Sequence, residues 1–159
     1  MKIIMLGRLF TILFFLVVFA GAGFLVVSLA DTGNSLRPDD RPLVLLGHQV
    51  YAKHCASCHG KNLEGEPNWR QRGPNGILPA PPHDASGHTW HHSDEQLIRL
   101  TKLGPTKISG GSYPSAMPGY EDILSEEEIV AVLSFIKSRW PASIRARHDE
   151  INRRASEEN

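Results

Sequence analysis

Tyr51-Ala52-Lys53-His54-Cys55-Ala56-Ser57-Cys58-His59-Gly60 contains both cysteines of this 159-residue chain, separated by two residues and followed at once by a histidine. A Cys-x-x-Cys redox pair starts a helix after a strand within a βαβ pattern, and the chain has no strand-like alternation of useful length. A structural zinc site needs further cysteines or correctly spaced histidines, so the pair alone is half a site. The reading that uses all three residues is covalent attachment of one haem c. Two intervening residues let both sulfurs bond the vinyl-derived carbons of one porphyrin edge, which holds His59 under the iron as proximal ligand.

An iron so held takes a second axial ligand or keeps an open site. Met1 and Met5 lie at the N-terminus, which leaves Met117 as the one methionine of the remaining chain. It stands in Ser115-Ala116-Met117-Pro118-Gly119-Tyr120, where Pro118 forces extended backbone on the residue before it. A thioether is a soft ligand that favours ferrous iron, so a His59/Met117 pair is expected to raise the reduction potential. The plain alternative is a methionine filling a gap in the core.

Three further features bear on the same cofactor. A metal-bound histidine donates its other ring N–H to a carbonyl, and the stiff Pro79-Ala80-Pro81-Pro82 offers one at Pro81 or Pro82, with Pro74 as the fallback. Trp90 is expected to pack against the porphyrin and donate its indole N–H to a propionate. His83, His88, His91 and His92 crowd the same stretch and could ligate iron or a second metal such as copper, or serve only as hydrogen-bonding residues.

Moving outward, Leu43, Leu46, Gly47, Val50, Tyr51 and His54 recur at threes and fours, which predicts a short helix running into Cys55. Residues 60–92 are rich in Gly, Pro and Asn and read as a long loop, unusual in a small domain unless it wraps something. Ser93 and Gln96 form a capping box for a second helix with Leu97, Leu100 and Leu103 on its apolar face and Gly104 as its stop. Ser125 and Glu128 repeat the box before Ile129, Val132, Leu133 and Ile136, and Trp140-Pro141 ends that helix. The tail over 142–159 mixes both charges and is expected to be helical at first and then frayed. The predicted fold is all-α, with too few apolar stripes for an independent core, so the porphyrin is expected to serve as part of it.

The N-terminus sets the expected compartment. Residues 9–30 carry no charge and consist mostly of Leu, Val, Phe, Ile, Ala and Gly, long enough to cross a bilayer as one helix. Lys2 and Arg8 precede the run and every acidic residue follows it, which places Met1 in the cytoplasm and the rest outside. Ser28-Leu29-Ala30 also suits a cleaved signal peptide; either way the chain is exported. The expected layout is an anchor or signal over 1–30, a polar tether over 31–42, a haem domain over 43–141 and the charged tail. Equal totals of 17 basic and 17 acidic residues argue against nucleic acid as a partner.

The region over 43–141 resembles class I c-type cytochromes in its order of parts: a helix into Cys-x-x-Cys-His-Gly, a Pro-rich loop, a middle helix, a Met-Pro loop and a final helix. More narrowly, over about residues 47–140, the Tyr51–Gly60 stretch with Asn62-Leu63-Glu64-Gly65, Pro67-Asn68-Trp69, Pro79-Ala80-Pro81-Pro82-His83-Asp84 and Gly87-His88-Thr89-Trp90-His91-His92 is similar to short membrane-anchored bacterial monohaem cytochromes. The resemblance implies that the first and last helices cross closely, Gly47 and Tyr51 meeting Val132, Phe135 and Ile136. It also implies a one-electron carrier, not an enzyme, on the periplasmic side of a bacterial cytoplasmic membrane, serving redox partner proteins. The alternative is a haem subunit of a redox enzyme, or a gas- or copper-responsive protein using an open iron site or the His-rich loop.

Overall fold

A computed structural model describes residues 35–158. They form helices α1 (Arg41–His54), α2 (Ala56–His59), α3 (Asp94–Ile108), α4 (Glu126–Ser138) and α5 (Ala142–Glu157), with a 3-10 turn at Thr89–His91. None of the described residues is in a strand, and no helix among them is long and apolar enough to cross a membrane. The apolar run over 9–30 lies outside the described residues.

Helix α4 is the centre of the core. Its capping box closes in both directions, Glu128 N–H donating to Ser125 Oγ at 3.2 Å and Ser125 N–H to Glu128 Oε2 at 2.9 Å. The sequence shows an apolar stripe, yet every residue from Ile129 to Lys137 is buried, as befits a helix covered on all sides. Lys137 is tolerated there because its ammonium reaches Asp149 at 2.6 Å.

Helix α1 begins two residues before the expected Leu43, because Asp40 accepts from Leu43 N–H and Pro42 sits in the first turn, where a missing N–H costs nothing. It crosses α4 at Gly47. A Cβ there would lie 2.0 Å from the Ala131 carbonyl oxygen and 2.9 Å from Phe135 Cβ, so only glycine permits this approach. The Tyr51 and Phe135 rings meet at 5.4 Å beside the crossing. Ala131 is thus the nearest partner of Gly47, and Val132 and Ile136 turn instead toward the cavity described below.

Gly104 interrupts α3 as the sequence predicts: its φ of 76° and ψ of 153° are not helical, and a further short helical stretch follows from Pro105 to Ile108. Two boundaries differ from the sequence reading. The stretch read as tether is docked from Leu36 onward. Leu36 is buried and its N–H donates to Asp94 Oδ2 at 2.8 Å, while Arg37 N–H donates to Ser134 Oγ at 2.9 Å. The tail does not fray early. It stays helical to Glu157 because His148 is fully buried and Asn152 exchanges two hydrogen bonds with Asp94.

Candidate haem site

Helix α1 delivers the two sulfurs. Cys55 N–H still donates to Tyr51 carbonyl, then the chain turns once more, with Cys58 and His59 both donating to the Cys55 carbonyl at 3.1 and 2.9 Å. Gly60, at φ 80°, ends the turn, and its carbonyl accepts the Tyr51 hydroxyl at 2.8 Å. Cys55, Cys58 and His59 thereby line one cavity of about 540 Å³. Burial and the neighbouring Cys58 push the Cys55 thiol up to about 11.

A paired loop sets the direction of His59. Gly65 N–H donates to the His59 carbonyl, Glu66 N–H to Ala80 and His83 N–H to Leu63, each at 2.8 Å, so residues 59–66 and 80–83 run side by side. Gly65 makes this possible, since its φ is 69° and a Cβ would lie 2.5 Å from Pro82 N. The pairing puts the Pro81 carbonyl 2.8 Å from His59 Nδ1. A carbonyl only accepts, so Nδ1 carries the proton and the Nε2 lone pair is left available. Burial lowers the His59 pKa and the Pro81 bond partly offsets it, which favours the neutral ring a metal requires. Of the prolines considered, Pro81 is the partner. The Pro82 carbonyl packs against Gly87, and Pro74 is not at the cavity.

Met117 reaches the same cavity from the loop between α3 and α4. The loop is seated at its end, where Tyr120 N–H donates to the carbonyls of Thr101 and Lys102 at 3.0 and 2.9 Å. Gly104 and Gly119 face each other there, and a Cβ on Gly104 would lie 2.9 Å from Gly119 N. The Tyr120 hydroxyl donates to the His54 carbonyl at 2.8 Å, which ties this loop to the residue before Cys55.

Trp90 lies beside the cavity, with its indole nitrogen buried and without a protein partner. It is not among the cavity-lining residues; its ring stacks on His91 at 3.7 Å and lies under the Arg147 guanidinium. In a 3-10 turn residues three apart share a face, and here Thr89 and His92 face the cavity while Trp90 is turned off it. The tryptophan that does line it is Trp69, stacked on His88 at 5.4 Å. Of the four histidines, His83, His88 and His92 line the cavity, with the His88 and His92 rings 5.9 Å apart, and His91 does not. His83 lies on His59, His88 on Trp69 and His91 on Trp90. Among the described residues, no group of three or more His, Cys, Asp or Glu is placed to hold a metal ion.

The remaining walls are mainly aliphatic, from Leu97, Leu100, Leu124, Val132, Leu133 and Ile136. A deep apolar slot with two thiols, one oriented neutral imidazole and one thioether suits a porphyrin and its iron. The chain matches the cytochrome c family model over residues 44–140 and belongs to that family. It is a class I c-type cytochrome, which binds one covalent haem c and transfers electrons. Among solved structures it is similar to cytochrome CL from the marine methylotrophic bacterium Methylophaga aminisulfidivorans. That likeness has a TM-score of 0.50 at 20% identity, covering 78% of this chain and 75% of that one. No curated protein matches the chain.

Proposed function

We propose that the chain is a membrane-tethered monohaem carrier that passes one electron at a time between protein partners on the periplasmic side of a bacterial cytoplasmic membrane. Cys55 and Cys58 are the attachment sulfurs, and His59 and Met117 the axial ligands. The observation that carries the reading is the single cavity in which these four side chains meet, with His59 Nδ1 already held by Pro81. The bound haem supplies a metal centre that gains and loses one electron with little rearrangement.

The protein's own contribution is to hold and insulate. The paired loop keeps the His59 ring in one direction, and the Met117 thioether favours the reduced state. The aliphatic residues of α3 and α4 exclude water, which further disfavours the more highly charged oxidised form. With two protein ligands assigned, no position is left for a substrate, and contact with partners falls to the exposed rim near Cys58. Such redox encounters use small interfaces. Residues 9–30 would confine the search to the membrane surface.

The test is to express the full chain with haem-maturation machinery and compare reduced and oxidised spectra of the parent and Met117→Ala. A low-spin parent spectrum that changes in the variant, with carbon monoxide binding gained, is the expected result. A polypeptide that carries no covalent pigment on a denaturing gel, beside a control that does, ends the proposal. Partition of the pigment with the membrane fraction tests the tether separately.

A further inference from the structure

We infer that His83 is a positioning residue that fixes the plane of the His59 imidazole through ring stacking, with Thr89 and Trp140 holding His83 in place. The inference rests on the reading of His59 as an axial ligand.

The hydrogen bond from Nδ1 to Pro81 restrains the His59 ring at one edge and leaves its face open to rocking. The His83 ring lies on its face, with centroids 3.9 Å apart and planes 23° from parallel. A stack removes that freedom only if the second ring is itself fixed, and His83 is fixed at every polar atom the structure pairs. Its Nδ1 is 2.8 Å from Thr89 Oγ1, its N–H donates to the Leu63 carbonyl at 2.8 Å, and its carbonyl accepts the Trp140 indole N–H at 2.7 Å. Tyr51 meets the ring edge-on at 6.4 Å. Thr89, Leu63, Trp140 and Tyr51 are all buried, so none of these supports can swing away.

The supports come from four separate parts of the chain, including the turn just after α4. Two of these bonds fix the His83 backbone, and the Nδ1 bond to Thr89 fixes the ring itself, a directional bond that a residue merely filling space between loops would not need. The orientation of an axial imidazole plane governs its π overlap with the iron orbitals. The supports of His83 therefore act on the electronic state of the site without touching the iron.

The experiment compares the full, haem-loaded chain with His83→Ala, His83→Phe, Thr89→Val and Trp140→Phe. The readouts are ferric electron paramagnetic resonance g values, the pattern of hyperfine-shifted haem methyl signals, and the reduction potential. His83→Ala should keep covalent haem and a low-spin spectrum while shifting the g values and the methyl pattern most. Trp140→Phe and Thr89→Val should shift them less, and His83→Phe, which keeps a ring on the stack, least. Ile144→Ala, a packing change away from the cavity, should lower the melting temperature and leave all three readouts in place.

Unchanged g values and methyl pattern in His83→Ala and Trp140→Phe would overturn the inference. If His83→Ala does not accumulate, Thr89→Val and Trp140→Phe decide by the same readouts. A His59→Gly variant that keeps the parent's low-spin spectrum would instead overturn the ligand assignment, a result distinguishable from failure of the stacking role.

Discussion

His59 and Met117 reach one cavity from loops that are held by different means. Around His59, residues 59–66 are bonded to residues 80–83, so each hydrogen bond spans many residues of chain and closes a large loop. From Ser109 to Met117 the hydrogen bonds are short-range, and the long-range ties of this loop sit at its end, on Tyr120. Met117 N–H donates to Ser115 Oγ, Tyr113 N–H to Ser109 Oγ and Gly111 N–H to the Thr106 carbonyl. Gly110, Gly111, Ser112 and Tyr113 are exposed, so water competes for those groups. Local bonds with exposed partners open at low free energy, while a long-range network opens only with the domain. The His59 side should therefore be the fixed half of the site and the Met117 loop the yielding half. Increasing denaturant should displace Met117 from iron before the helices unfold.

The largest expected effect comes from breaking the fixed half at Gly65. An alanine there must adopt a left-handed backbone and place its Cβ 2.5 Å from the Pro82 backbone nitrogen, so the two loop segments must part. Gly65→Ala should cost about 3 kcal/mol or more of stability and displace the Pro81 carbonyl from His59. Thermal unfolding of the loaded protein measures the first effect and the Nδ1–H resonance of His59 the second. A melting curve equal to the parent's would mean that the paired loop is not what holds His59.

Gly104→Ala is the matching change in the yielding half. Its φ of 76° is equally unsuited to alanine, but the collision is milder, at 2.9 Å from Gly119 N against 2.5 Å at Gly65. About 2 kcal/mol is expected, with loss of the Met117 spectral signature while covalent haem is retained. If Gly104→Ala proves costlier than Gly65→Ala, the ranking of the two halves is reversed.

What the sequence made legible follows the same division between local and long-range. Both capping boxes, the Cys-x-x-Cys-His turn and the Met-Pro loop are local patterns, and each is found where the residues put it. The stiff carbonyl is legible only as one of a few prolines, Pro74, Pro81 or Pro82, because its register is set at a distance by Gly65. The contact from Trp140 to His83 joins residues 57 apart, and nothing near either one announces it. That Trp69 is the tryptophan on the cavity wall is not legible in the sequence, because which aromatic faces inward depends on loop packing and on the phase of a three-residue 3-10 turn. The ordered tail depended on His148, Asn152 and Asp149 finding partners on other elements.

Acid should act on the fixed half. Burial, with His59 and His88 close by, pushes the His83 pKa well below the ordinary histidine value, and residues 109–119 contain no histidine at all. A histidine held neutral when folded binds its proton only on unfolding, so stability is fully present above the unfolded pKa of about 6.5 and falls as the pH drops below it. His148 adds to the slope, because burial first and the Lys137 charge second lower its pKa against the opposing pull of Asp94. A loss of up to about 1.4 kcal/mol per pH unit for each ring is expected below pH 6.5. Denaturant midpoints measured between pH 7.5 and 5 would show it, and His148→Gln should flatten the profile. A midpoint independent of pH over that range would mean that these rings accept protons without unfolding.

The smallest effect is the most discriminating for the Met117 loop. Ser115 Oγ accepts the Met117 N–H at 3.1 Å, a bond within one turn of chain that water can replace. Ser115→Ala should therefore change global stability by no more than about 0.5 to 1 kcal/mol. It also frees the backbone at the residue that bears the sulfur, so the rate at which an added ligand such as imidazole displaces Met117 should rise more than the melting temperature falls. If displacement keeps the parent's rate, the loop's yielding character lies in its exposed glycines, and the comparison must be drawn between Gly110-Gly111 and Gly65 instead.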